Sequence, residues 1–156
     1  MKHFITIISI IILSTISINT YAQLNAVTHE EAFGYKTVWK APMRYGCIRY
    51  SDGFYYLCGS TNNKYEKSYA TILLGDDKES AILSLDDLYK IVSKETKLPK
   101  GGLIVKSIDN KTTTIYKTIN GPTLKTEYVA GESYILYAMR NKFDEAKESI
   151  NNFKEE

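Results

Sequence analysis

The sequence predicts an α+β protein, a tandem pseudo-repeat in which an antiparallel four-stranded meander is followed by one helix, twice over (ββββα twice). Three observations predict it. Two strand-into-helix segments align at an offset of 65 residues, two helical stripes repeat at steps of four and three, and short β runs are punctuated by turn residues in both halves.

The aligned segments are Ser68 to Leu74 followed by Asp76 to Leu88, and Ser133 to Met139 followed by Asn141 to Phe153. Ser68 and Tyr69 match Ser133 and Tyr134; Ala81, Ser84, Leu85 and Leu88 match Ala146, Ser149, Ile150 and Phe153. Asp76 and Asn141 are read as N-caps, because a side-chain oxygen there accepts from a free backbone N–H. Acids in each first turn, Glu79 and Asp144, suit the helix dipole. The stripes are Ala81, Leu85, Leu88 and Val92, then Ala146, Ile150 and Phe153. Pro99 disfavours helix at Leu98, so the first helix is predicted to fade near Lys97 and the second to run to the chain end.

The other strands follow in order. In the first half they are Tyr35 to Lys40, Arg44 to Ser51 and Phe54 to Gly59, with Pro42 and Ser51-Asp52-Gly53 at the turns. In the second they are Leu103 to Ile108, Thr112 to Ile119 and Leu124 to Val129, with Asp109-Asn110 and Asn120-Gly121-Pro122 at the turns. Residues 35–156 are therefore read as a single domain of two similar halves, 35–97 and 103–156, joined by a linker at 98–102. Each half has one apolar helix stripe with which to cover a sheet face.

Ahead of this domain, Lys2 and His3 precede a run from Phe4 to Ile18 made only of apolar residues, Ser and Thr. A small residue follows at Ala22. This is the pattern of a signal peptide over residues 1–22, too short for a membrane-spanning helix. Residues 23–34 read as a flexible lead-in. The expectation is an exported protein, periplasmic or secreted, with no membrane span after leader removal. With no cysteine at the cut, a lipid anchor has no atom to attach to. Loss of Lys2 lowers the net charge of the 156-residue chain from +2 to +1. So even a balance gives no basic field, and nucleic acid is not an expected partner.

Cys47 and Cys58 flank the Asp52-Gly53 pair. If those two residues form a two-residue hairpin loop, paired residues sum to 105 and Cys47 faces Cys58 across roughly 4.5–5.5 Å between Cα atoms. A disulfide accepts that separation, and an oxidising compartment favours it. If Ser51-Asp52-Gly53 forms a three-residue loop, pairs sum to 104 and Cys47 faces Leu57. The cysteines then lie on opposite faces as free thiols. The sequence leaves both registers open.

Catalytic chemistry has little to stand on. His29 is the one histidine after the leader, and it lies in the lead-in. There is no Gly-x-Ser-x-Gly elbow and no phosphate-binding glycine loop. Asp76-Asp77 and Asp86-Asp87 read as a cap and a solvated helix face. No catalytic residue, metal ligand or cofactor is assigned. The positive signal is aromatic, for Tyr and Trp crowd the first half, and such rings suit recognition surfaces. In the two-residue register, Tyr45, Arg49, Phe54 and Tyr56 share one face with the cysteines, and that face is the candidate binding surface. The functional expectation is a non-catalytic binding module, inhibitor or immunity-like, acting on a protein or glycan partner in the envelope or outside the cell. The alternatives are a small envelope hydrolase using carboxylates or Cys58, and a self-associating structural envelope protein.

Overall fold

A computed structural model describes residue 30 and residues 33–65, 68–93, 97–126 and 129–155. Residues 1–22, read above as a signal peptide, and His29 with most of residues 23–34, read as a lead-in, lie outside the described residues.

The first half begins with β1 (Lys36–Lys40), a 3-10 turn (Pro42–Arg44), β2 (Gly46–Ser51), β3 (Phe54–Ser60) and β4 (Tyr69–Gly75). These form one antiparallel sheet in the order β1-β2-β3-β4. A helix follows, α1 (Lys78–Val92). The second half contributes β5 (Leu103–Lys106), β6 (Thr112–Thr118) and β7 (Gly121–Thr126), a separate three-stranded sheet. It ends with two helices, α2 (Ile135–Met139) and α3 (Phe143–Asn152).

The α+β class and the meander of the first half therefore hold, but the repeat of four strands plus one helix does not. The stretch expected as the fourth strand of the second half, Ser133 to Met139, is the short helix α2. Its apolar run is too short for periodicity to choose between strand and helix. Packing chooses: Ile135, Leu136 and Met139 are all fully buried, a spacing that a helix presents on one side and a strand divides between two faces. Ser133 alone keeps β character. It bridges to Leu124 on one side and to Thr61 on the other, and so ties the two sheets together.

Helix ends differ from expectation by a residue or more. The first N-cap is Asp77, not Asp76, and its carboxylate accepts from the Ser80 N–H at 2.7 Å. Ser80 Oγ in turn accepts from the Asp77 N–H, completing a capping box. Asp77 caps because it takes the extended backbone (φ −141°, ψ 172°) that an N-cap needs. The helix stops at Val92, ahead of Lys97, where Ser93 turns extended. The last helix is preceded by Lys142, with no side-chain cap, rather than by Asn141, and it ends at Asn152. In the second sheet the turn falls on Ile119-Asn120, so β7 starts at Gly121 and Pro122 lies within it.

The helix stripes behave as read. Ala81, Leu85 and Leu88 are buried, as are Ala146 and Ile150, with Val92 and Phe153 packed against them. Both long helices cover one face of the four-stranded sheet, over Trp39, Ile48, Tyr55, Leu57, Ile72 and Leu74. Ile115, Leu124 and the buried face of α2 continue the same cluster, so one core draws on both halves. The helices are also tied to each other and to the sheet by polar contacts. Lys147 meets Asp86 at 2.8 Å, and Trp39 Nε1 donates to Glu145 at 3.0 Å.

Candidate functional site

The first hairpin is a two-residue turn. Asp52 (φ 53°) and Gly53 (φ 83°) both occupy the left-handed region, which the tight turn matched to strand twist requires. The ladder then pairs Ser51 with Phe54, Arg49 with Tyr56 and Cys47 with Cys58. Parity sends Ile48, Tyr50, Tyr55 and Leu57 towards the helices, and Cys47, Arg49, Tyr56 and Cys58 to the opposite face.

On that outer face a compact polar site is built around Arg49. Its Nε donates to Cys47 Sγ at 3.2 Å. Its guanidinium lies against two tyrosine rings, 4.1 Å from the centroid of Tyr35 and 4.8 Å from that of Tyr69. Such contacts hold a guanidinium in place while leaving in-plane N–H groups able to donate. Both cysteines are buried free thiols in this structure. The Cys47 thiol is pushed down to about 6, first because Cys58 hydrogen-bonds to it and then because Arg49 and Lys40 bring positive charge; burial opposes this. The same contact with Cys47, together with burial, pushes Cys58 up. Cys47 is thus the more acidic thiol of the pair, and the Cys58 thiol, held protonated longer, lies 3.9 Å from the Tyr56 carbonyl to which it donates. Beside them opens a cavity of about 420 Å³, lined by Phe33, Tyr35, Arg49, Tyr56, Cys58 and the hydroxyl-bearing Ser51 and Thr71.

Of the four residues expected to share one surface, three do. Arg49 and Tyr56 line this cavity, and the exposed Phe54 ring lies 6.4 Å from that of Tyr56. Tyr45 is elsewhere. After the 3-10 turn at Pro42–Arg44, β2 begins only at Gly46, one residue past Tyr45, and the Tyr45 side chain lines a different depression.

That depression is a groove of about 1380 Å³ at the seam between the halves. The residues around it come from five places: Met43 and Tyr45, the end of α1 at Tyr89 and Lys90, Leu98 of the linker, the β6–β7 turn from Lys117 to Pro122, and α2 with its neighbours on either side, Tyr134, Tyr137, Arg140 and Asn141. Lys117 and Arg140 contribute positive charge, Lys90 is paired with Asp87 at 2.9 Å, and no described lining residue is acidic. Arg140 stacks on Tyr137, 4.5 Å from its centroid. Apolar side chains stand open at the rim, where Ile119 is fully exposed and Met43 is 78% exposed. Met43 (φ 52°) and Arg44 (φ 61°) hold consecutive left-handed conformations without being glycine, strain of the sort that collects at functional sites. No motif or spacing marks this groove, whose residues are dispersed along the chain. The nearest thing to one was Gly121: it has φ 116°, and an added Cβ would come within 2.6 Å of the Tyr137 ring.

Among the described residues, no group of three or more His, Cys, Asp or Glu side chains comes together, and no helix is long and apolar enough to cross a membrane. No family model, curated protein or solved structure matches the chain.

Proposed function

We propose that this protein is an exported, non-catalytic binding module of the inhibitor type, whose groove receives an acidic peptide segment of a protein partner. The observation that carries the reading is the composition of the groove. Four tyrosines, the cations Lys117 and Arg140, and open apolar side chains line it, with a third cation, Lys90, already paired with Asp87, and no carboxylate is among the described lining residues. Tyrosine rings give large contact area for little entropy loss, and cations in a concave site steer an anionic partner. The exposed Met43 and Ile119 at the rim favour a peptide with apolar side chains among its acids over a glycan, which offers mainly hydroxyls. Export rests on the leader-like residues 1–22.

The test is calorimetric titration of the purified protein with a peptide alternating Glu and Leu, its Gln counterpart, and an acidic oligosaccharide. The acidic peptide is expected to bind with an affinity that falls as salt rises. Arg140→Ala and Tyr137→Ala should each weaken it about tenfold, which corresponds to roughly 1.4 kcal/mol, whereas Arg49→Ala, on the other face, should not. Equal binding of the Gln peptide, or tighter binding of the oligosaccharide, would overturn the assignment of the ligand. Unchanged affinity in the Arg140 and Tyr137 variants would remove the groove.

A further inference from the structure

The outer face of the first sheet holds a second site, independent of the groove. Three features there belong together. Cys47 and Cys58 face each other across the hairpin, Arg49 is bonded to Cys47 and braced by Tyr35 and Tyr69, and a cavity opens along Arg49, Tyr56 and Cys58. We propose that Cys47 and Cys58 form a thiol–disulfide switch that gates a carboxylate-binding site at Arg49.

In the reduced state the Cys47 sulfur occupies the Arg49 Nε donor at 3.2 Å and, as the more acidic thiol of the pair, sets negative charge against the guanidinium. The terminal N–H groups can still donate, but the Nε–H edge is taken and the positive charge an anion would seek is offset. Oxidation removes the charge on sulfur, because a disulfide sulfur is neutral and a weak acceptor. The guanidinium stays where the two tyrosines hold it, now with Nε unpaired and no described acidic residue lining the cavity. A planar carboxylate matches the in-plane donors of a guanidinium. Phe33, Tyr35 and Tyr56 supply walls for a flat apolar body, and Ser51 and Thr71 supply hydroxyls. The ligand class is therefore a small carboxylate with an aromatic or apolar body.

The redox step balances with a small-molecule disulfide as oxidant. The Cys47 thiolate attacks one sulfur of that disulfide, whose S–S bond breaks and releases one thiolate. Cys58 gives its proton to the released thiolate and attacks the Cys47 sulfur, expelling the second thiolate. Two cysteines are oxidised by two electrons, and one external disulfide is reduced to one thiol and one thiolate, the latter taking its proton from water. The facing register brings the two residues to the backbone separation a disulfide needs.

The experiment uses the purified protein, either oxidised with glutathione disulfide or reduced with a phosphine, and titrates it with benzoate. Mass measurement after alkylation should show no free thiol in the oxidised sample and two in the reduced one. Benzoate should bind the oxidised form at least tenfold more tightly. Cys47→Ser, which removes the thiolate without a disulfide, should bind benzoate like the oxidised form even under reducing conditions. Arg49→Gln should lose binding in both states, with an unchanged far-ultraviolet spectrum. Failure of the intramolecular disulfide to form would overturn the switch. Equal benzoate affinity in the two redox states would overturn the gating, and no binding in any state would overturn the carboxylate site.

Discussion

Lys78 Nζ donates to the Phe153 carbonyl at 2.6 Å and to the Asn151 carbonyl at 3.1 Å. The first residue of α1 thus caps the C-terminal end of α3, a helix drawn from the other half of the chain. The last carbonyls of a helix have no partner within it, and a cation there also meets the negative end of the dipole. The contact holds Phe153 in place, with its ring 5.4 Å from Tyr50 and 6.2 Å from Tyr55. Lys78→Met, which keeps the aliphatic stem, should therefore lower stability by about 1 kcal/mol. A urea midpoint equal to that of the parent protein would show that the cap contributes nothing.

The capping box makes a sharper distinction between neighbouring acids. Asp77 accepts from Ser80, whereas the Asp76 carboxylate has only a long contact, 3.5 Å, with Ser80 Oγ. Asp77→Ala should lower the thermal midpoint, and Asp76→Ala should leave it close to the parent value. Equal effects in the two variants would place the cap wrongly.

The seam between the sheets depends on a glycine. A Cβ at Gly59 would fall 2.1 Å from Ser133 Oγ and 2.8 Å from Ile135 Cγ2. Ser133 cannot retreat, because its backbone exchanges two 2.9 Å hydrogen bonds with Leu124. Gly59→Ala should cost at least the roughly 1–3 kcal/mol typical of overpacking. Gly53→Ala, with nothing within 4 Å of its added Cβ, meets only the strain of φ 83° and should cost less. Chemical denaturation of the two variants side by side checks the order.

Cys47 should be the faster thiol. With its value lowered to about 6 from an ordinary 9.0, iodoacetamide alkylation of the reduced protein should reach half its limiting rate near pH 6. The groups facing it are Cys58, Arg49 and Lys40, and Arg49→Gln should move that midpoint upward. The sign for stability follows from the same shift. The folded value lies below the unfolded one, so the thiolate's contribution is full above pH 9 and is lost as pH falls through 6. Cys58, shifted the other way, weakens the fold above pH 9, where only the unfolded chain ionises freely. The stability gap between the reduced protein and Cys47→Ser should therefore narrow from pH 8 to pH 5. A gap that does not change with pH would mean that Cys47 stays protonated.

What the amino-acid order determined by itself was local. The spacing of Ala81, Leu85 and Leu88, and of Ala146 and Ile150, defined the buried faces of two helices, because a helical period places those positions in one line. Asp52-Gly53 marked a turn, since both residues tolerate left-handed backbone. Sequence could not choose between the two hairpin registers. They differ by one residue, and the choice rests on whether Ser51 stays in the ladder, which in the folded protein it does, opposite Phe54. That choice put Cys47 opposite Cys58 and brought Arg49 onto the thiolate. Sequence also misjudged Ser133 to Met139, where a short apolar run suits strand or helix equally. Burial against both sheets made it a helix and left Ser133 as the bridge between them. The groove belongs wholly to tertiary structure: Tyr45, Tyr89, Lys117 and Arg140 are far apart along the chain and meet only where the two sheets are joined. Periodicity reports which side of an element is buried. It says nothing about which exposed sides end up facing one another, and both sites proposed for this protein are made of such meetings.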